Sequence, residues 1–164
     1  MASNLKNLSE YDPSTLPSGK AMKFVIIVSE WNKEITESLL KGAYDVLVKS
    51  GTTPDHIIVE HVPGSFEITY AAKLLAEKMK PDAVICLGCV IQGETRHFDF
   101  ICQSVTQSLT ELNLRYNIPF IFGILTTNNI EQARERAGGK KGNKGIEAAV
   151  TAIKMASIRK KIID

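Results

Sequence analysis

The sequence has few cysteines, no long apolar run and no strong charge of either sign. Three cysteines in 164 residues, an odd number, do not indicate a disulfide framework. A formal net charge of +2 is too small to indicate a nucleic-acid partner. The longest apolar stretch, Ala83 to Ile91, is far shorter than the roughly 20 residues of a membrane span, and the first twenty residues lack a secretory signal. We therefore expect a protein of the reducing cytoplasm with no nucleic-acid or membrane partner.

The residues that are present indicate one folded domain preceded by an arm. Residues 1–20 are rich in Ser, Asn and Pro and lack periodicity, so they are expected to form an N-terminal arm that packs on a neighbouring subunit. Residues 21–164 suffice for a single domain with a sizeable core, since 44% of the chain is hydrophobic.

Short apolar runs predict four buried strands, and each is followed by a segment of helical periodicity. The predicted strands are Lys23 to Ser29, Ile57 to Val59, Ala83 to Ile91 and Phe120 to Leu125. Ser65 is predicted to cap the second helix, and Asn128 with Glu131 resembles a capping box. Strands alternating with helices indicate a single-domain three-layer α/β/α sandwich with a four-stranded parallel sheet, of the flavodoxin-like type.

Polar residues follow three of the predicted strands. They are the segments Trp31-Asn32, Gly64 to Glu67 and Gln92 to His97. The carboxyl ends of parallel strands lie along one edge of a sheet, which is where open α/β sheets bind ligands. The sequence therefore predicts one crevice lined by these three segments.

Each polar residue has a functional and an ordinary interpretation. His97 could exchange protons with a ligand, or it could satisfy a helix terminus. The segment Gly93 to Thr95 suits a phosphate or carboxylate, or it is a capped turn. Glu67 could accept hydrogen bonds from ligand hydroxyls or favour a helix start. Trp31 could stack on a planar ring, although a lone tryptophan after a strand more often packs in the core.

Two further groups of residues resemble binding motifs. Arg136, Lys140 and Lys144 surround several glycines, which is typical either of solvated basic residues or of a segment that reaches a neighbour's crevice. Cys86 and Cys89 have the spacing of metal and redox sites, but strand positions three apart point to opposite faces. We expect both cysteines to be buried and predict no metal site.

The chain resembles the lumazine synthase family from about Lys23 to Met155. Four motifs carry the resemblance, in family order and spacing. They are Val62 to Ile68, Gly88 to Phe100, Pro119 to Gly123, and Glu131 to Gly145. Members condense 5-amino-6-(D-ribitylamino)uracil with 3,4-dihydroxy-2-butanone 4-phosphate to give 6,7-dimethyl-8-ribityllumazine, the penultimate step of riboflavin biosynthesis. This implies a transferase that uses small-molecule substrates and no cofactor.

The resemblance also implies a role for each candidate site residue. His97 would donate and accept protons. The ribitylaminouracil would be held by Trp31, Ser65, Phe66, Glu67, the backbone of Cys89, Val90 and Ile91, and Phe122 of an adjacent subunit. The phosphate-bearing substrate would be held by Glu94, Thr95, Arg136 and Lys144. Gln92 and Glu94 depart from the arginine and the small residue that many members have, which changes the charge at the phosphate site.

The resemblance implies assembly, and two other functions stay open. Members form homopentamers, some of which build icosahedral 60-mers, and riboflavin synthase is a candidate partner. The short Gly138 to Gly145 connection favours the capsid, whereas Pro13 and Pro17 in the arm disfavour strand addition to a neighbour. A non-catalytic flavin- or lumazine-binding module and a shell-forming protein are the alternatives to the enzyme.

Overall fold

The computed structural model describes residues 8–163, and its centre is a four-stranded parallel sheet. The strands are β1 (Phe24–Ser29), β2 (Ile57–Val62), β3 (Ala83–Ile91) and β4 (Phe120–Thr127), in the order β2-β1-β3-β4. All six residues of β1 are buried, because helices cover both faces of the sheet. The predicted strand count and direction are therefore confirmed, and β2 continues to Val62, three residues beyond its predicted end.

Five helices and one small hairpin complete the fold. The helices are α1 (Lys33–Lys49), α2 (Ile68–Met79), α3 (His97–Arg115), α4 (Ile130–Glu135) and α5 (Lys144–Ile163). The hairpin pairs β5 (Ala137–Gly139) with β6 (Gly142–Asn143) in antiparallel fashion.

Two separate apolar cores lie on the two faces of the sheet. Residues of α1, α4 and α5, such as Leu39, Ala133 and Ile153, pack on one face. Residues of α2 and α3, such as Ile68 and Leu109, pack on the other face. This arrangement confirms the three-layer α/β/α sandwich and places the start of α3 on a different side of the sheet from α4.

Close contact between α1 and α5 depends on a glycine at the start of α5. A Cβ atom built on Gly145 would overlap the backbone carbonyl group of Leu39. Gly145 is buried, and the neighbouring Asn143 accepts hydrogen bonds from the backbone N–H groups of Gly145 and Ile146 at 2.8 Å and 3.2 Å. The sequence at this point therefore both starts α5 and lets it approach α1.

Two predicted helix caps are wrong. Asn129, not Asn128, caps α4, since its side chain accepts a hydrogen bond from the Gln132 N–H at 2.9 Å, and the Gln132 side chain accepts one from the Asn128 N–H. Ser65 does not cap α2, because that helix begins at Ile68 and Glu67 occupies the cap position without a side-chain bond. The Gly/Lys-rich segment after α4 forms the β5–β6 hairpin.

The described part of the predicted arm lies against its own chain. Residues 8–20 contain two 3-10 turns, Leu8–Glu10 and Pro13–Thr15, and Tyr11 and Leu16 pack on the core beside α1. The Ser9 hydroxyl bonds the backbone of Asn143 in β6. Contact of the arm with a neighbouring subunit stays a prediction, and residues 1–7 lie outside the described residues. Within residues 8–163, no helix combines the length and the apolar character that crossing a membrane requires.

Candidate active site

A cavity of about 770 Å³ opens at the carboxyl edge of the sheet. The structure brings the three polar segments together there, as the order of strands and helices predicted. The lining residues are Trp31, Pro63, Gly64, Ser65, Phe66, Glu67, Cys89, Val90, Ile91, Gly93, Thr95, His97, Phe98 and Ile101. We call this cavity the crevice.

Trp31 is held at the rim of the crevice by its backbone. Its N–H donates to the carbonyl of Pro63 at 3.2 Å, and the next residue, Asn32, has a left-handed backbone with φ of 60°. The Asn32 side-chain amide donates to the carbonyl of Cys89 at 2.9 Å, which ties this turn to the end of β3. The Trp31 side chain is 73% exposed. Trp31 is therefore not a core residue of this chain, and its ring is available to a ligand.

The turn between β2 and α2 presents one buried and two exposed side chains. Ser65 lies against Gly88 of β3, where an added Cβ would come within 2.6 Å of the Ser65 hydroxyl. Phe66 and Glu67 are exposed, and a carboxylate oxygen of Glu67 lies over Gly64. The carboxylate makes no cap hydrogen bond to α2, so it stays available as an acceptor.

The first residue of α3 is His97, at the edge of the crevice. Its backbone N–H donates to the hydroxyl of Thr95 at 3.4 Å, and Arg96 occupies the cap position without a side-chain cap bond. The first N–H groups and the dipole of a helix favour an anion at this end. Among residues 8–163, no hydrogen bond is made to the His97 ring, which is exposed and faces no competing partner.

The two cysteines of β3 lie in different cores. Cys86 packs with the α2 and α3 helices, and Cys89 packs on the opposite face with α1 and α5. Burial raises the pKa of the Cys89 thiol to about 11 and raises the pKa of Cys86 further. The predicted opposite orientation is confirmed, so the two thiols cannot bind one metal ion together. Cys89 also lines the crevice, and its backbone carbonyl accepts the hydrogen bond from the Asn32 side chain.

Arg136 and Lys144 do not line the crevice of their own chain. They lie on either side of the β5–β6 hairpin, where the Lys144 N–H donates to the Arg136 carbonyl at 2.9 Å. Ala133 and Ala137, which flank Arg136, pack in the core beside α1 and α5, whereas Val90 and Ile101 of the crevice pack in the other core. The two basic residues therefore lie beside the α1 and α5 core and outside the crevice lining, which borders both cores.

Two other predicted site residues also lie outside the crevice lining. Phe122 is half-buried on the edge strand β4. Glu94 is exposed, and it does not line the crevice although its neighbours Gly93 and Thr95 do. Their roles stay predictions.

A protein-family model described as 6,7-dimethyl-8-ribityllumazine synthase matches residues 21–160. Proteins of that name are similar to this chain over almost its whole length. The one from Parabacteroides distasonis is 58% identical over 157 residues, covering 96% of this chain and 98% of the relative. The one from Porphyromonas gingivalis is 56% identical over 160 residues, covering 98% and 99% of the two chains. The chain belongs to the 6,7-dimethyl-8-ribityllumazine synthase family.

Membership of the lumazine synthase family confirms the resemblance that the four motifs indicated. Sequence reasoning nevertheless missed several residues of the crevice, among them Pro63, Phe98 and Ile101. These side chains carry no distinctive chemistry, and only their position after β2 or at the start of α3 could have indicated them. The positioning contact of Asn32 was also missed, although asparagine is one of the residues that tolerate a left-handed backbone.

Proposed function

We propose that the crevice is the active site in which this chain condenses 5-amino-6-(D-ribitylamino)uracil with 3,4-dihydroxy-2-butanone 4-phosphate to form 6,7-dimethyl-8-ribityllumazine. The observation that carries the proposal is that three side chains meet at one cavity. They are the exposed Trp31, Glu67, whose carboxylate makes no cap hydrogen bond, and His97, the first residue of α3. Relatives that bear the name of this synthase share about half or more of their residues with the chain.

The lining of the crevice suits the ribitylaminouracil. Trp31 would stack on the pyrimidine ring, because its face is exposed at the rim. The turn at Ser65, Phe66 and Glu67 would hold the ribityl chain, with the Glu67 carboxylate accepting hydrogen bonds from hydroxyl groups. Backbone groups of Val90 and Ile91 would meet the polar edge of the ring.

The proposed chemistry needs proton transfer more than a protein nucleophile. The substrate amine attacks the ketone, and loss of water gives a Schiff base. Elimination of the phosphate group and tautomerisation then generate a new carbonyl at the carbon next to the Schiff base. The ribityl-bearing nitrogen attacks this carbonyl, and loss of another water molecule closes the ring. His97 would take up and return protons in these steps, and holding two aligned reactants would supply much of the rate.

The phosphate group would bind at the start of α3, where Thr95 and backbone N–H groups of this helix lie. Arg136 and Lys144 would reach it from a second copy of the chain, since neither residue lines the crevice of its own chain. Phe122, on the outer strand β4, would come from that copy as well.

A homo-oligomer is the assembly that these positions favour. Tyr70 and Leu74 lie one turn apart on α2, and Phe66 precedes them with the same spacing. All three are exposed and form an apolar stripe next to the crevice, which suits contact with another copy. We propose a pentamer that works in the cytoplasm and hands its product to riboflavin synthase. Light scattering distinguishes the pentamer from an icosahedral 60-mer.

The activity is tested by incubating both substrates with the protein while measuring the lumazine chromophore and released phosphate. We expect product and phosphate in equal amounts, faster than in the uncatalysed mixture. Arg136→Ala should greatly raise the KM for the phosphate-bearing substrate. Arg134→Ala is the matched control, because Arg134 pairs with Glu34 on the surface and has no proposed role in the site. A rate equal to the uncatalysed background would instead support a binding module.

Mixing two impaired variants tests whether two chains share one site. Trp31→Ala removes a crevice residue, and Arg136→Ala removes a residue that would come from the neighbour. If the chains exchange between oligomers, some crevices in the mixture will combine an intact Trp31 with an intact Arg136 from another chain. We expect the mixture to be more active than either variant alone. No gain after confirmed subunit exchange would place Arg136 in its own chain's site or outside the site altogether.

A further inference from the structure

Glu147 is a buried carboxylate that the proposed reaction does not use. It lies in the first turn of α5, and 8% of its surface is exposed. One carboxylate oxygen accepts a hydrogen bond from the Lys144 ammonium group at 3.0 Å. The other oxygen lies 3.8 Å from a guanidinium nitrogen of Arg136 and has no hydrogen-bond partner among the described residues. Glu147 therefore stands between the two basic residues assigned to the phosphate.

Burial of this carboxylate needs a reason beyond helix formation. An acidic residue in the first turn of a helix is favourable at the surface, where it keeps its hydration. A buried carboxylate loses that hydration and is tolerated only when charges or donors compensate it. Lys144 and Arg136 supply that compensation, which couples the positions of the three side chains.

The contact between Glu147 and Arg136 leaves the N–H donors of the guanidinium group unoccupied. At 3.8 Å the two groups attract each other by charge, but the distance is too long for a hydrogen bond. A guanidinium has five N–H donors, and no hydrogen bond from the Arg136 side chain is made within residues 8–163. Those donors remain available to phosphate oxygens.

Arg134, two residues earlier, shows the opposite arrangement. Its side chain donates two hydrogen bonds to the two oxygens of Glu34, at 2.8 Å and 3.0 Å. That bidentate pair occupies the donors that a phosphate group would use. The two arginines of the same segment therefore differ in what their acidic partner leaves free.

We infer that Glu147 is a positioning residue that fixes Arg136 and Lys144 for the phosphate-bearing substrate without occupying the donors of Arg136. The inference rests on the proposed function, in which Arg136 binds that substrate. The three side chains together carry a formal charge of +1, so the cluster still attracts a phosphate dianion. Glu147 itself touches no substrate in this proposal.

Glu147→Gln tests the inference, because glutamine keeps the shape and the acceptor for Lys144 but removes the charge. Loss of a fixed position for two binding groups should raise the KM for the phosphate-bearing substrate about tenfold. Inhibition by inorganic phosphate should weaken by a similar factor, while the KM for the ribitylaminouracil stays close to wild type. Glu34→Gln, which removes the partner of Arg134, is the matched control and should leave both KM values unchanged.

Combining the variants separates this inference from the proposed function. If Glu147 acts through Arg136, adding Glu147→Gln to Arg136→Ala should raise the KM little further. If Arg136→Ala alone leaves that KM unchanged, the phosphate assignment itself is wrong. If Arg136→Ala raises it but Glu147→Gln leaves it unchanged or lowers it, the positioning role is overturned and the proposed function stands.

A second variant covers the case in which Glu147→Gln does not fold. Glu147→Asp keeps the charge but withdraws the carboxylate by one methylene group, so it loosens the same contacts. A raised KM for the phosphate-bearing substrate, with the other KM unchanged, supports the inference. An unchanged KM in a folded Glu147→Asp variant overturns it.

Discussion

Replacing Trp31 with alanine should weaken binding of the ribitylaminouracil while leaving the fold intact. Because 73% of Trp31 is exposed, about 180 Å² of the roughly 250 Å² that a tryptophan can bury remains free for a ligand. A planar ring stacked on one face would cover about half of that area, which at about 25 cal/mol per Å² corresponds to about 2 kcal/mol. We therefore expect the KM for the ribitylaminouracil to rise about 30- to 40-fold in Trp31→Ala. The KM of Trp31→Phe, which has a smaller ring, should lie between the values of the wild type and Trp31→Ala.

The assay is steady-state formation of the lumazine chromophore with each substrate varied in turn. The KM for the phosphate-bearing substrate should stay within about threefold of wild type, because stacking involves only the pyrimidine. The free energy of unfolding should change by less than about 0.5 kcal/mol, since an exposed side chain contributes little to the core. Leu114→Ala, an equally exposed apolar side chain near the far end of α3, is the control. An equal rise in both KM values, or a rise below about threefold for the ribitylaminouracil, would refute the stacking argument.

Four further predictions concern catalysis, packing and the thiols. His97→Ala should lower kcat by about tenfold with little change in either KM, because proximity rather than covalent catalysis supplies most of the rate; a loss above about a thousandfold in kcat would contradict this. Gly145→Ala should destabilise the fold by about 3 kcal/mol or more in denaturant titrations, because the new Cβ overlaps the Leu39 backbone, whereas Gly93→Ala meets open space and should change stability little. Since burial raises the pKa of Cys89 from 9.0 to about 11, its contribution to stability is present below pH 9 and is lost as the pH rises through 11, and Cys89→Ala should reduce that loss. Iodoacetamide at pH 8 should label half-buried Cys102 before Cys86 or Cys89, and labelling of all three at equal rates in the folded protein would show that the strand opens.

The strands could be predicted because burial on both faces leaves a simple record in the sequence. Ala83 to Ile91 is predicted with the bounds that β3 has, since helices cover both faces of this central strand and nearly every position is apolar. The end of β4 was predicted too early, at Leu125 instead of Thr127. Thr126 is exposed and Thr127 is buried, and both pair with β3. Because these two residues are polar, the apolar pattern did not indicate that the strand continues through them.

The helix starts were harder, because several residues near each start could supply the cap. Asn128 and Asn129 are chemically equivalent candidates for the cap of α4. Which of them caps the helix depends on where β4 ends. Ser65 has good capping chemistry, yet its side chain is drawn into the gap that Gly88 leaves on β3. Contacts distant in sequence decided both cases, and a local pattern does not contain them.

The candidate site also contains residues that the sequence could predict and residues that depend on contacts distant in sequence. Trp31, Glu67 and His97 could be placed together because each follows a strand of the same parallel sheet, and topology alone brings such residues to one edge. The position of Arg136 could not be predicted, because it depends on the face of the sheet on which the short helix α4 packs. Glu147 gave no signal at all, since an acidic residue at a helix start is ordinary until its burial is known.

The packing of α4 has a direct consequence for how a phosphate site could be completed. Ala133 is fully buried in the core beside α1, and Ala137 pairs with Asn143 in the hairpin, so the backbone on both sides of Arg136 is fixed. The Arg136 guanidinium is further restrained by Glu147, and its carbonyl accepts the Lys144 N–H. A side chain held at so many points cannot move into its own crevice, which it does not line, without breaking that packing. If Arg136 binds the phosphate, a neighbour's crevice must be brought to it, so loss of assembly should abolish phosphate binding even when every chain remains folded.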